Sequence, residues 1–185
     1  MTNENTALVP VEKAVKAFLP SLQGNEMQRA VTLVNKGFDP GFHLVIYQNR
    51  VMVTIDGHQW WLRRLYPGAR IISKPVPGPE REAYGVGEDE IGVIASIYLP
   101  GIAEPVVTGF GRASKDSQRP VSRGSAVEAN HPYRMAEKRA EAQAIRKIAP
   151  IGIMVTTPEE AQDNIVEGEA HEIPAREDEQ RRPLA

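Results

Sequence analysis

Apolar positions along this chain recur first at helical spacing, then alternate, then return to helical spacing. Residues 11–19 place Val11, Val15 and Phe18 on one side of a short helix that ends at Pro20. Residues 22–36 form a longer one, with Met27, Val31 and Val34 as its buried strip, Gly37 as its stop and Phe38-Asp39-Pro40-Gly41 as a turn. The clearest β-pattern follows. Residues 44–47 and 51–55 flank Gln48-Asn49-Arg50 and predict a hairpin with Asn49 near its tip. Asp56 is placed to cap a helix over 58–65 that carries Trp60, Trp61, Arg63 and Arg64, closed by Pro67-Gly68. Residues 70–73 read as a third strand and 75–90 as a Pro/Gly-punctuated loop. Residues 91–99 and 106–112 read as two more strands, joined at Pro100-Gly101.

The most legible helix spans residues 131–150. Asn130 is a good N-cap, Pro132 sits where its missing N–H costs nothing, and Pro150 forces the end. Ala136, Ala140 and Ala144 recur every four residues, a smooth strip that lets the helix approach a sheet or another helix closely. Arg139, Gln143 and Arg146 fall on a second strip, beside Lys138 and Lys147. Such a helix suits lying on a sheet while presenting cations to an anion. The plainer alternative is a solvated cationic face, with Glu137 and Glu141 supplying i, i+4 pairs.

Together these elements predict an α+β domain. Its antiparallel sheet, a hairpin plus a meander of about five strands, carries N-terminal helices, an inserted helix and a long helix packed across it. The predicted core domain covers residues 1–157, with 158–185 a disordered acidic tail. Residues 114–129 read as a basic loop ordered by a partner, and 151–155 as a segment that could add a strand.

Composition changes this picture in two respects. The chain has 185 residues and no cysteine, which excludes disulfides and thiolate metal sites and fits a reducing compartment. No secretory signal and no apolar run of membrane-spanning length is visible. The formal net charge of −2 hides an asymmetry. From Pro158 onward nine acidic residues face three arginines, which leaves the tail near −6 and the rest near +4. Residues 105–149 hold nine bases against four acids, a weak footprint of nucleic-acid binding.

Most chemistries find no support. There is no Gly-x-x-x-x-Gly-Lys-Ser/Thr loop, and Gly109-Phe110-Gly111 lies in a strand without a third glycine. His43, His58, His131 and His171 are scattered without ligand spacing and suit lone surface or capping roles. Glu88-Asp89-Glu90 has diverging side chains in a loop, and the serines of the basic loop lack a histidine–carboxylate partner set. No enzyme, cofactor or metal is expected. Two features survive: the arginines and lysines of the last strands, loop and helix, which suit phosphate, and Trp60-Trp61 beside Arg63 and Arg64, which suit stacking on unpaired bases. Against the second stands the reading that one tryptophan packs in the core and the other half-covers it, since helical neighbours point about 100° apart.

Residues 131–147 resemble the C-terminal helix motif of the phage single-strand annealing proteins of the RecT/Redβ (Bet) superfamily. There a proline, a methionine, a lysine, spaced alanines and an Ala-x-Arg-Lys ending recur. Gly37-Phe38-Asp39-Pro40 is similar to that family's Gly-Leu-Asp-Pro turn, and Val53-Thr54-Ile55-Asp56-Gly57 to its strand ending in Ile-Asp-Gly. The three blocks occur in order over most of the body, while the strand-rich middle is not matched.

The resemblance implies an ATP-independent recombinase of phage-type homologous recombination that binds single-stranded DNA and anneals complementary strands. It further implies a homo-oligomeric ring or helical filament. The partners would be single-stranded DNA, the annealed duplex intermediate and a phage exonuclease or single-strand-binding protein, in the cytoplasm of a bacterial host, with no membrane. Lys138, Arg146 and Lys147 match the motif and become DNA-binding candidates. Arg139 joins them from the helix-face argument, Arg112 and Lys115 as a strand end before the basic loop, and Arg63 and Trp60 from the stacking argument. Asp56 and Gly57 are expected to be structural, a cap and a turn. The alternatives are a nucleic-acid-binding accessory without annealing activity and an oligomeric phage structural protein.

Overall fold

The structure, a computed structural model, describes residues 11–115 and 131–152. The expected Asn130 cap, basic loop, strand at 151–155 and acidic tail lie wholly or largely outside them. Helices α1 (Val11–Phe18) and α2 (Gly24–Asn35) come first, then a hairpin of β1 (Leu44–Tyr47) and β2 (Arg50–Val53), then α3 (Ile55–Leu65). Strands β3 (Arg70–Pro75), β4 (Glu90–Tyr98) and β5 (Val107–Ser114) form the meander, and α4 (Pro132–Ile148) follows. The fold is α+β. The five strands among the described residues divide into two antiparallel sheets, the β1–β2 hairpin and a sheet in the order β3-β4-β5.

Local chemistry accounts for most boundaries and corrects several. Gln48 and Asn49 both have positive φ, the signature of a two-residue type I′ turn, so Arg50 belongs to β2 opposite Tyr47. Thr54, not Asp56, caps α3: its Oγ1 accepts the Gly57 N–H at 3.1 Å, and the helix starts at Ile55. Gly57 is therefore helical rather than a turn. It is required because a Cβ there would lie 2.8 Å from the His43 carbonyl oxygen and 2.7 Å from Val53. The strip of α2 that is buried is Met27, Ala30 and Leu33, one position off the predicted one. Phe18 is 60% exposed, and only Val15 of α1 is buried. His58, expected at the surface, is fully buried because it shares the inward face of α3 with Leu62.

Two apolar cores result. One joins α1, α2, the hairpin, Phe38 and Ile151. The other lies between α4 and one face of the three-stranded sheet, where Val93, Ala95, Ile97 and Ala113 meet Ala136, Ala140 and Ala144. Helix α3 contributes to both, through Ile55 and Leu62 on one side and Trp60 on the other, with Trp61 touching each.

The alanine strip of α4 approaches its sheet over glycines. A Cβ at Gly109 would lie 2.2 Å from the Ala140 carbonyl oxygen and 2.5 Å from the Ala144 nitrogen; at Gly111 the Ala136 oxygen and Ala140 nitrogen stand at the same distances. Helix backbone thus rests directly on strand backbone. Gly111→Ala should cost about 3 kcal/mol because the clashing atoms are main chain and cannot rotate away. Gly78→Ala, with nothing within 4 Å, should stay within about 0.5 kcal/mol. Urea unfolding followed by tryptophan fluorescence checks both.

Candidate nucleic-acid interface

Among the described residues β5 is an edge strand, and its outward backbone groups need partners. Helix α4 supplies them at regular intervals. The Arg139 guanidinium donates to the Arg112 carbonyl at 2.6 Å, the Gln143 Oε1 accepts from the Phe110 N–H at 2.7 Å, and the Lys147 ammonium donates to the Thr108 carbonyl at 2.8 Å. The match is geometric. Four helical residues rise about 6 Å and two strand residues about 6.6 Å, so positions i, i+4 and i+8 of the antiparallel-running helix meet every second residue of the strand.

This arrangement corrects the expected role of Arg139. It is 5% exposed and spent on the sheet edge, not offered to an anion. Lys147 stays exposed with further donors on its ammonium, while Lys138 and Arg146 are half-buried and already engaged. Arg112 and Lys115 are exposed and reach carbonyls of the β3–β4 connection, Arg112 to Gly85 at 3.2 Å and Lys115 to Glu88 at 3.1 Å. The structure therefore brings Arg112, Lys115, Arg139 and Lys147 together along β5, with only Arg139 withdrawn from solvent.

Trp60 and Arg63 belong elsewhere. The Trp60 ring packs 5.0 Å from Phe38 and 4.9 Å from His43, with the Arg64 guanidinium 5.3 Å from its centroid. Trp61 lies 5.5 Å from Phe38 in a stacked geometry. Both indoles reach the same phenyl ring despite their helical offset, and their own centroids are 6.1 Å apart, so the three rings form a triangle. Trp60 is half-buried in this aromatic cluster and is not an open stacking platform. Arg63 is exposed on α3, apart from the β5 stripe.

The sequence reading passed over the sheet's other face. With odd-numbered residues of β4 and β5 facing α4, the even-numbered ones point away: Ile94, Ser96 and Tyr98 from β4, and Thr108, Phe110 and Arg112 from β5, beside Ile72 and Lys74 of β3. These positions are half-buried or exposed, Ile72 at 38%, and no α-helix of the described residues packs on them. Tyr84, 39% exposed, folds back from the β3–β4 connection with its ring 5.3 Å from that of Phe110. An antiparallel sheet ordinarily turns polar residues to water on its free face. Here Tyr98, Phe110, Arg112 and Lys74 share it with Ile72, Ile94, Ser96 and Thr108. The signal was present in β4, where Ile94 and Tyr98 stand in the same phase as Glu90, Gly92 and Ser96, opposite the apolar phase of Ile91, Val93, Ala95 and Ile97.

Comparison with known proteins identifies no relative: no family, curated protein or solved structure matches the chain. No helix among the described residues is long and apolar enough to cross a membrane.

Replacing Gln143 by Met removes the acceptor of the Phe110 N–H while keeping the volume. Stability should fall by about 1–2 kcal/mol and exchange of the Phe110 amide should accelerate. Gln143→Glu, which retains the oxygen, should preserve most of both. Denaturation together with amide hydrogen exchange measures the pair.

Proposed function

We propose that the protein binds single-stranded DNA and anneals complementary strands without ATP, as its resemblance to the RecT/Redβ proteins implies. The observation that carries this reading is the row of exposed cations along β5, Arg112, Lys115 and Lys147, beside a sheet face bearing Tyr84, Tyr98 and Phe110. Annealing needs no fuel, since pairing and stacking release about 1.4 kcal/mol per step. It needs a surface that cancels phosphate repulsion and leaves the pairing edges free. Cations along one strand answer the first need. Aromatic rings answer the second, because they engage the flat faces of bases and leave their hydrogen-bonding edges outward. Lys138 and Arg146 of α4 enter this reading through the helix motif on which the resemblance rests. On this reading the protein works as a homo-oligomer that extends the path from subunit to subunit. It acts with a phage exonuclease or single-strand-binding protein in the cytoplasm of a bacterial host.

A second reading, an oligomeric phage structural protein, draws on Phe42. It is 78% exposed, yet its turn is tightly tied: Asp39 Oδ1 accepts the N–H groups of Gly41 and Phe42, the Phe42 carbonyl accepts from Thr54 Oγ1, and the Asp39 N–H donates to His43 Nδ1. A rigidly presented phenyl ring suits an anchor against another protein surface.

Fluorescence-quench annealing of two complementary oligonucleotides without nucleotide separates these readings. The wild type should accelerate pairing. Arg112→Ala/Lys115→Ala and Lys138→Ala/Arg146→Ala should each weaken single-strand binding by about tenfold or more, and each lost phosphate contact should lower the salt slope by about 0.7. Strand binding without acceleration points to the accessory protein, and equal, weak binding of single strands and duplex at ~50 mM salt points to the structural one.

A further inference from the structure

Glu141 is 7% exposed and carries no ion pair among the described residues. Its Oε2 accepts from Gln59 Nε2 at 2.7 Å and its Oε1 from Ser73 Oγ at 3.2 Å, which ties α4 to α3 and β3. A carboxylate has about four acceptor sites, so two remain. The Arg134 guanidinium acts on Glu141 through space, while the donors that reach its oxygens are two neutral groups, which leaves room for a further donor from a ligand. Glu141 lines a cleft of ≈ 440 Å³ between α3 and β3, with Leu62 and Ile71 among its walls. Arg63 and Arg70, both exposed, also line it, and neither guanidinium has a hydrogen bond or ion pair among the described residues.

An acceptor-only group at the bottom, apolar walls and two cations at the mouth describe a complementary ligand. It is flat, offers two adjacent N–H donors at one end and carries an anion at the other. Among nucleobases only guanine presents two N–H groups side by side, on N1 and the exocyclic N2. Adenine and cytosine each place a lone pair next to their amino group, which a carboxylate repels, and thymine flanks its single N–H with carbonyls. A guanidinium would match Glu141 equally well but would be repelled by the two arginines. A divalent cation would find one carboxylate only.

We propose that this cleft binds a guanine nucleotide, with the N1–H and N2–H edge donating to Glu141 and the phosphate held by Arg63 and Arg70. The site goes beyond strand annealing and requires no second strand. The nucleotide is either free or one residue of a DNA strand, and the chemistry of recognition is the same.

Titration calorimetry of the full chain with GMP, AMP, guanosine and inorganic phosphate tests the proposal. GMP should bind about tenfold or more tighter than AMP, the discrimination expected of a bidentate base contact. Glu141→Gln, which replaces one acceptor oxygen by a donor, should abolish that preference and leave AMP unchanged. Should this variant fail to fold, Arg63→Ala/Arg70→Ala, altered only at exposed positions, keeps the test: it should weaken GMP several-fold and leave guanosine unaffected. The source is read by comparing oligothymidylate with the same strand carrying one central dG. Tighter binding of the dG strand, reversed by free GMP, indicates a strand residue; binding of GMP alone indicates the free nucleotide. Equal affinity for GMP and AMP, or a folded Glu141→Gln protein that still prefers GMP, overturns the site. A protein that anneals strands but ignores GMP refutes the cleft and spares the annealing reading, and the reverse outcome does the opposite.

Discussion

The seating of α4 on β5 is the contact that the rest of the molecule depends on. Two glycines and three alanines bring a helix backbone against a strand backbone, with hypothetical Cβ atoms at Gly109 and Gly111 only 2.2 Å from helix carbonyl oxygens. At that approach the helix and strand repeats fall into step, and Arg139, Gln143 and Lys147 each meet an outward polar group of the edge. The edge is thereby closed without another strand, which removes a site for unwanted pairing. The same contact fixes Glu141 against Gln59 and Ser73, and Tyr66 Oη donates to the Ile148 carbonyl at 3.3 Å, so α3 is positioned from the same helix.

This seating also divides the cations by role. On a helix read alone, Arg139, Lys147 and their neighbours form one basic stripe. Once the helix lies on the sheet, Arg139 becomes part of the fold, Lys147 bridges to the edge with donors to spare, and Arg112 and Lys115 extend the exposed row along the strand. Proximity of charge in sequence was a poor guide to its availability, because a long guanidinium beside an unsatisfied carbonyl is drawn to it. The surface that this seating leaves exposed includes the strand's edge and the sheet's far face, on the side away from the helix.

Much of the fold was legible in the sequence. The α+β class, the hairpin, the meander and the alanine strip of α4 all followed from periodicity, because each element buries one face and its apolar spacing records which. Boundaries moved by one to three residues where short-range chemistry decided them, as when Thr54 rather than Asp56 took the cap of α3. The splitting of five strands into two sheets was not legible, since pairing between sheets depends on tertiary placement that alternation does not encode. The same holds for His58, whose burial follows from the inward face of α3, and for the two tryptophans, which share Phe38 only because a distant turn brings it against both. Of the candidate site, the cations of β5 were visible as residues but not as a row. The aromatic face was missed, because Ile94 and Tyr98 share their phase of β4 with Glu90, Gly92 and Ser96, so that phase reads as an ordinary solvated face.

The central claim is that a single strand lies along β5 with its bases over the uncovered sheet face. Photo-cross-linking of a bromodeoxyuridine-substituted oligonucleotide, followed by mapping of the modified peptides, tests it most directly. The account predicts adducts on the peptides containing Tyr84, Tyr98 and Phe110. Adducts confined to the peptide of Trp60 and Trp61 would contradict it.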